Sequence, residues 1–528
     1  MSSERYVLAV DLGSSSVKTA LVSSCGDIAA GANRPIHTLR LGRGAVEQDP
    51  HQWWSATVEA AREALAAAAV DPARIAAIKC TTQWAVTTPV DAEGQTLTNA
   101  LSWMDSRGGR HTRAMVHGPI SLGGYDVLKL WRWIRFSGGC PVRSGVDGLG
   151  HILHLKHDRP EVYARTHKFL EPMDYLNLRL TGKFAASFGT IFPYWVTDNR
   201  DPSRIAYHPT LLRMAGIERE KLPDLLPVDA VLGELQPNAA AELGLSTETK
   251  VFAGACDGHA ATVGAGAIAD YEGYFYIGTT SWLSCHVPMK KTDMRHSILS
   301  MPAALPGRYM VAAEQGAAGR CLEFLKDEIL FPRDGAWSSS VDGFEVLNRE
   351  AEAVRPGSDG LIFTPWVNGA MVPVEDPYTR SAFINQSLGT TRGHYARAVM
   401  EGVAYNLRWL RRHVEEFIGR PFPHLNFIGG AALSPVWCQI LADVIGCPIR
   451  QVANPRYANA VGAGLAAFAA LGEIAESDIG HLVAIEKVYA PRPETKRLYD
   501  EMFEQFLELY KRLKPIYKKL NGEIRRHV

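Results

Sequence analysis

At 528 residues the chain exceeds what one hydrophobic core usually supports, so two domains of roughly 250 residues each are expected. Its 56 basic side chains balance 56 acidic ones, with 46% hydrophobic and 21% charged residues, which leaves no charge excess to steer it toward nucleic acid or a membrane surface. The 8 cysteines stand singly, without a C-x-x-C pair, which argues against a disulfide framework or a structural zinc site.

The N-terminal MSSERYVLAV has Glu4 and Arg5 before a short strand where a signal peptide would have an apolar core. Next come YVLAVDLG, VKTALVSSCGD and IAAGANRPIHTL, short apolar runs that read as a three-stranded meander with Cys25-Gly26-Asp27 as a turn. From Trp53, after Asp49-Pro50, WWSATVEAAREALAAAAV has helical spacing, and RIAAIKCTTQWAVTTPVD returns to strand character. His151, His154 and His157 lie three apart on a predicted helix and read as its polar face, since no cysteine or glutamate completes a metal site in that stretch. A helical region around PEVYARTHKFLEPMDYLNLRLTG leads to the Pro-rich connector KLPDLLPVDAVLGELQP, taken as the approach to a boundary between residues 1–252 and 253–528. The opening order is then expected to restart at VFAGACDGHAATVGAGA and GYFYIGTTSWLSCHV. Helices and a strand follow, and AVGAGLAAFAALG is too short and glycine-rich to span a bilayer. An amphipathic tail closes the chain, its basic run from Lys511 to Arg526 reading as a solvated face. A cytoplasmic protein without nucleic-acid or membrane partners is expected; oligomeric state is open, with a homodimer allowed.

The chemistry begins with a carboxylate inside a strand. Asp11 precedes Gly13, Ser14, Ser15 and Ser16, with Lys18 nearby. A glycine turn offers backbone N–H groups to an anion, hydroxyls add donors and lysine adds charge, so the stretch reads as a phosphate cradle. Asp11 would repel phosphate directly, but it can anchor Mg²⁺ that bridges to phosphate oxygens. An Asp-Leu-Gly turn capping an edge hairpin is the plainer alternative. The second copy, IGTTSW, repeats glycine plus hydroxyl at the matching place. No Walker loop and no dinucleotide fingerprint occur. Two facing cradles suggest a nucleotide in a cleft, and an α/β fold of two actin-like ATPase (ribonuclease H-like) domains.

Over nearly its whole length the sequence resembles the FGGY carbohydrate kinases, xylulokinase-like members in particular. EQDPHQWW, LSWMDSRG, YARTHKFLEPMDYLNLRLTG, KLPDLLPVDAVLG, DGLIFTPWVNG, RAVMEGVAYNLRWL and FIGGAALSPVWCQILADVIGCPI stand in the family's order. The resemblance implies ATP as donor, Mg²⁺ as cofactor and a small sugar or polyol as acceptor, a ketopentose such as xylulose foremost. It implies Asp257 in ACDGHA as the catalytic base, in contact with the acceptor. Gly278 and Thr279 are matched to the second phosphate motif, Gly319 to a glycine beside the nucleotide, and Gly430 and Ser434 to the adenosine-binding turn. For Ser434, the N-cap of the following helix is the competing reading. The acceptor pocket is assigned Gln83, Trp84, Trp103 and Asp105, an indole face and a carboxylate being a common way to hold a polyol. Trp84 as core filler is the alternative. Two departures bear on the acceptor: Gln83-Trp84-Ala85 lacks the histidine of xylulokinase-like members, and Gly258 stands where an amide often follows the base. They keep open the reading of a degenerate kinase acting as a sensor, and the actin-like architecture by itself allows a further one, an ATPase that drives conformational change on a protein partner.

Overall fold

The structure, a computed structural model, describes residues 4–331 and 342–523. Its two largest sheets follow one plan. In the first, strands Ile28–Pro35, Ser16–Ser23, Tyr6–Leu12, Ile75–Thr82, Lys250–Phe252 and Val231–Glu234 lie side by side in that order. The first three form an antiparallel meander, the next two run parallel to its last strand, and the sixth is antiparallel. The second sheet places Glu314–Ala317, Thr280–Ser284, Gly273–Ile277, Leu425–Ile428, Ile449–Val452 and Ile485–Tyr489 in the same order, with the same senses throughout. This duplicated α/β unit is the two-domain actin-like ATPase fold.

Tyr6–Leu12 is buried along its whole length because both faces of its sheet are covered, as parallel segments require. Leu8, Val10 and Leu12 join Trp53, Trp54 and Ala61 of helix Pro50–Ala68 in one cluster. Val7 and Ala9 turn the other way, toward Ala460, Ala463, Ala467 and Phe468 of helix Ala458–Ala470. Helix Pro50–Ala68 starts where the sequence signals it: the Asp49 side chain accepts from the His51 N–H at 2.9 Å, with Pro50 in the first turn. The late apolar run thus forms an interior helix, and among the described residues no helix is long and apolar enough to cross a membrane.

Two expectations are corrected, and one sheet is new. The repeated order does not restart at VFAGAC: Lys250–Phe252 pairs with Ile75–Thr82 inside the first sheet, and the second sheet opens at Gly273. The three histidines do not form one polar face, since His151 is fully buried and His154 nearly so, while His157 is exposed. His151 lies 3.1 Å from the Thr87 hydroxyl and 3.2 Å from the Asp105 carbonyl, and burial lowers its pKa to about 4. A four-stranded sheet between His286 and Ala312 was not foreseen. Its Met301 and Met310 pack with Trp133 and Tyr194 of the first half, and Lys290 Nζ donates to the Ile134 carbonyl at 2.7 Å.

Candidate active site

The site is built from two hairpins and one helix start. In the first hairpin, Gly13-Ser14-Ser15 joins Tyr6–Leu12 to Ser16–Ser23, and the Gly13 N–H donates to the Ser16 carbonyl at 2.9 Å. Asp11 faces Lys18 across the pair, 3.3 Å between Oδ2 and Nζ, with Asp11 only 3% exposed. In the second hairpin, Gly278-Thr279 joins Gly273–Ile277 to Thr280–Ser284. The backbone of helix Gly319–Phe324 locks that turn: Ala318 N–H donates to the Thr279 carbonyl at 3.0 Å and Gly319 N–H to the Gly278 carbonyl at 2.9 Å. Thr279 is exposed at its tip.

Asp257 opens helix Asp257–Gly264 and is half-buried. Its carboxyl has lost most of its hydration and feels the charges of Asp11 and Glu314, which together push it up to about 7, while the Gly258 N–H, 2.7 Å from Oδ1, and Lys18 pull the other way. The turn is held from below. Cys256 Sγ lies 2.7 Å from His259 Nδ1, and His259 Nε2 donates to the Pro302 carbonyl at 2.7 Å. That second bond fixes the tautomer, so Nδ1 accepts the thiol hydrogen. Glu314 escaped the sequence reading. The residue as a whole is exposed, yet protein around its carboxyl pushes it up to about 7, the Thr280 hydroxyl opposing. The signal available was an acid in a strand two residues before a glycine, the pattern that drew attention to Asp11.

The proposed acceptor residues separate into layers. Trp103 is half-buried and its Nε1 donates to Ser14 Oγ at 3.1 Å, so this indole adjoins the first phosphate turn. Gln83 follows directly: its N–H donates to the Leu12 carbonyl at 2.7 Å and its Nε2 to Gln48 Oε1 at 2.6 Å, leaving Gln83 Oε1 buried without a partner among the described residues. Gln48 in turn holds the Ser14 carbonyl at 2.9 Å. Trp84 is half-buried, with Nε1 donating to the Thr190 carbonyl at 3.0 Å. Asp105 does not offer its carboxylate to an acceptor. It is fully buried, with Arg107 Nε at 2.9 Å and the Val46 N–H at 2.9 Å, and it orients Arg107, which also reaches Glu47 at 2.6 Å.

In the turn after strand Leu425–Ile428, Gly430 is exposed and unobstructed, whereas Gly429 has φ +95° beneath the Ile277 carbonyl. Ser434 is the N-cap of helix Pro435–Ile445, accepting from the Trp437 N–H at 3.1 Å and donating to Asn348 Oδ1 at 2.7 Å. Its hydroxyl thus serves the fold as the competing N-cap reading describes. Among the described residues no three His, Cys, Asp or Glu side chains are grouped to hold a metal by themselves.

The profile of the FGGY family of carbohydrate kinases, N-terminal domain, matches residues 6–264, and that of the C-terminal domain matches residues 273–471. The chain belongs to the FGGY family of carbohydrate kinases. A xylulose kinase of Bacillus subtilis is 26% identical over 97% of this chain and 98% of its own. A gluconokinase of the same organism is 24% identical over 98% of this chain and 97% of its own. Among solved structures, a gluconate kinase from Lactobacillus acidophilus superposes with a TM-score of 0.84 at 23% identity, covering 98% of this chain and 100% of that one. A ligand-bound xylulose kinase from that organism gives 0.83 at 22%, with the same coverage. Membership makes the chain a sugar kinase with ATP as phosphate donor.

Proposed function

We propose that this kinase transfers the γ-phosphoryl group of ATP to a hydroxyl of a small sugar or polyol, a ketopentose such as xylulose foremost, with Asp257 as general base. The observation that carries the reading is Asp257 itself: a half-buried carboxyl at a helix start, close enough to Asp11, Glu314 and Lys18 to feel their charges, with a proton affinity matched to neutral pH. Asp257 orients the acceptor hydroxyl and takes its proton as the acceptor oxygen bonds to phosphorus and the bond from phosphorus to the ADP oxygen breaks. Gly13, Ser14, Ser15, Ser16 and Lys18 face the phosphates from one hairpin, Gly278 and Thr279 from the other, with Gly319 behind. Gln83 presents its unpartnered Oε1 to an acceptor hydroxyl and Trp103 borders the same space. The division between the two halves is placed at residues 252 and 253.

The donor set fits Mg²⁺. Asp11 is a buried carboxylate with Lys18 as its sole ion-pair partner among the described residues, while the carboxyls of Asp257 and Glu314 are pushed toward neutrality chiefly by lost hydration. Mg²⁺ characteristically uses one or two carboxylates and completes its shell with water and phosphate. When bound it would neutralise charge on the phosphate oxygens. A non-catalytic switch or sensor is disfavoured by the presence of both Asp11 and Asp257 in the cleft.

The test is acceptor-dependent ATP consumption by the purified protein across ketopentoses, pentitols, tetroses and hexuloses. One or more acceptors should turn over, and Asp11→Ala should depress that turnover and weaken its Mg²⁺ dependence. ATP hydrolysis indifferent to every acceptor would return the switch reading, and full activity in excess chelator would remove the metal.

A further inference from the structure

One stretch of the first half leaves large apolar side chains in solvent among bases. Strands Ser121–Leu122 and Tyr125–Asp126 pair across a turn at Gly123-Gly124 and run straight into helix Val127–Phe136, whose Val127 N–H donates to the Ile120 carbonyl at 2.9 Å. In that helix Leu130 and Trp133 are buried, whereas Leu128, Trp131, Arg132 and Arg135, spaced by three or four on the opposite stripe, are exposed. Exposure reaches 71% for Ile120, 62% for Leu122, 68% for Leu128 and 56% for Trp131. Side chains this open protrude. The balanced total charge hides a local excess here: from Arg113 to Arg143 the bases are Arg113, Lys129, Arg132, Arg135 and Arg143, and the one acid is Asp126, which caps the helix through the Leu128 and Lys129 N–H groups. Contacts gather these bases round the hairpin. Arg143 donates to the Gly123 carbonyl at 2.9 Å, Arg113 to the Arg143 carbonyl at 3.2 Å and Lys129 to the Met115 carbonyl at 2.6 Å, while the Arg135 guanidinium lies 5.4 Å from the Trp131 ring centre. Among the described residues none of the five joins an ion pair, and the excess of base persists with Glu375 and the buried Asp147, whose charges reach Tyr125, counted in.

We propose that this hairpin and helix dock on an anionic lipid surface, with Ile120, Leu122, Leu128 and Trp131 entering the headgroup boundary and the bases beside them meeting lipid phosphates. Apolar insertion and charge attraction are each weak by themselves, and their sum holds a protein at a membrane. A second copy of the chain is the poorer occupant, because a two-fold contact would set this positive face against itself. A folded acidic protein would need a hollow shaped to each protruding side chain, whereas lipid yields around them.

The experiment sediments the full chain with vesicles of phosphatidylcholine alone and with vesicles that also carry phosphatidylglycerol, at low and at physiological ionic strength. Binding should require phosphatidylglycerol and weaken as salt rises. Arg132→Gln and Arg135→Gln should each weaken it about fivefold, and Leu122→Ser and Leu128→Ser each about tenfold, with the thermal midpoint unchanged because all four side chains are exposed. The same vesicles should shift the Trp131 emission to the blue, read as the difference between the wild type and Trp131→Phe. No sedimentation with either vesicle, equal sedimentation with both, or binding that ignores all four substitutions would overturn the proposal. Retention on immobilised polyglutamate without vesicle binding, lost in the same four variants, would also overturn it and assign the face to an acidic protein.

Discussion

A Cβ at Gly13 in the first hairpin would meet only the Ser16 carbonyl, at an ordinary 3.6 Å; in the second hairpin, one at Gly278 would strike the Tyr276 ring, and one at Gly319 the Gly278 carbonyl. The two turns occupy equivalent places in equivalent sheets, yet they are held differently. Side chains from the acceptor side hold the first, with Gln48 on the Ser14 carbonyl and Trp103 on the Ser14 hydroxyl. Backbone holds the second, through the start of helix Gly319–Phe324. Glycine in the first turn leaves open space, whereas at the second Gly278 accommodates the Tyr276 ring and Gly319 lets two stretches of main chain touch. A shared motif therefore does not imply a shared reason.

The strongest test of the cleft lies between the hairpins. Asp257→Asn should lower turnover by about 10²–10⁴-fold with ATP binding intact; near wild-type turnover in a folded protein would assign Asp257 to capping its helix. The contrast between turns is sharpened next by a pair of alanines. Gly319→Ala should cost about 1–3 kcal/mol of stability through overpacking, seen as a lower denaturant midpoint. Gly13→Ala should stay within about 0.5 kcal/mol and instead raise KM for ATP. Equal destabilisation by both would erase the distinction drawn here.

Smaller and directional is the effect of pH. A base lifted to about 7 must lose its proton to work, so kcat/KM should climb with pH through that region, and Glu314→Gln, by removing a like charge, should move the limb to lower pH. Stability runs the opposite way. Asp257 and Glu314 hold their protons more tightly folded than unfolded, so their contribution is present at low pH and is lost as pH rises from about 4 to about 7. A limb unmoved by Glu314→Gln would mean that lost hydration and the Asp11 charge set the value without Glu314. Least of all, Ser434→Ala should cost about 1 kcal/mol as a lost N-cap with kcat unaltered; a drop in ATP affinity at unchanged stability would restore its role at the nucleotide.

The opening meander, the helix after Asp49-Pro50 and the second hairpin were legible because local signals, alternation and capping, decide them. Membership of Lys250–Phe252 in the first sheet was not, because three residues carry no information about which sheet edge receives them. Asp105 looked available in sequence since nothing there reveals that Arg107 and the Val46 N–H converge on it. The histidines misled for the same reason: spacing gives a face, and burial of that face depends on what packs against it. Glu314 was invisible because a lone acid acquires meaning only beside Asp257. The two turns, by contrast, were readable as turns, because glycine between two apolar runs marks a hairpin within a few residues.

Helix Ala458–Ala470 lies against the first sheet on one side and against helix Asp257–Gly264 on the other, where Gly264 and Gly462 bring main chain onto main chain. Such a contact has no rotamers with which to readjust, so it can survive movement only if it turns as an axle and does not slide. The helix that starts with Asp257 is borne directly on that axle. Any opening or closing of the halves would then swing the hairpin tips through a long arc while the Asp257 carboxyl, near the bearing, travels little, which would keep the proposed base almost still.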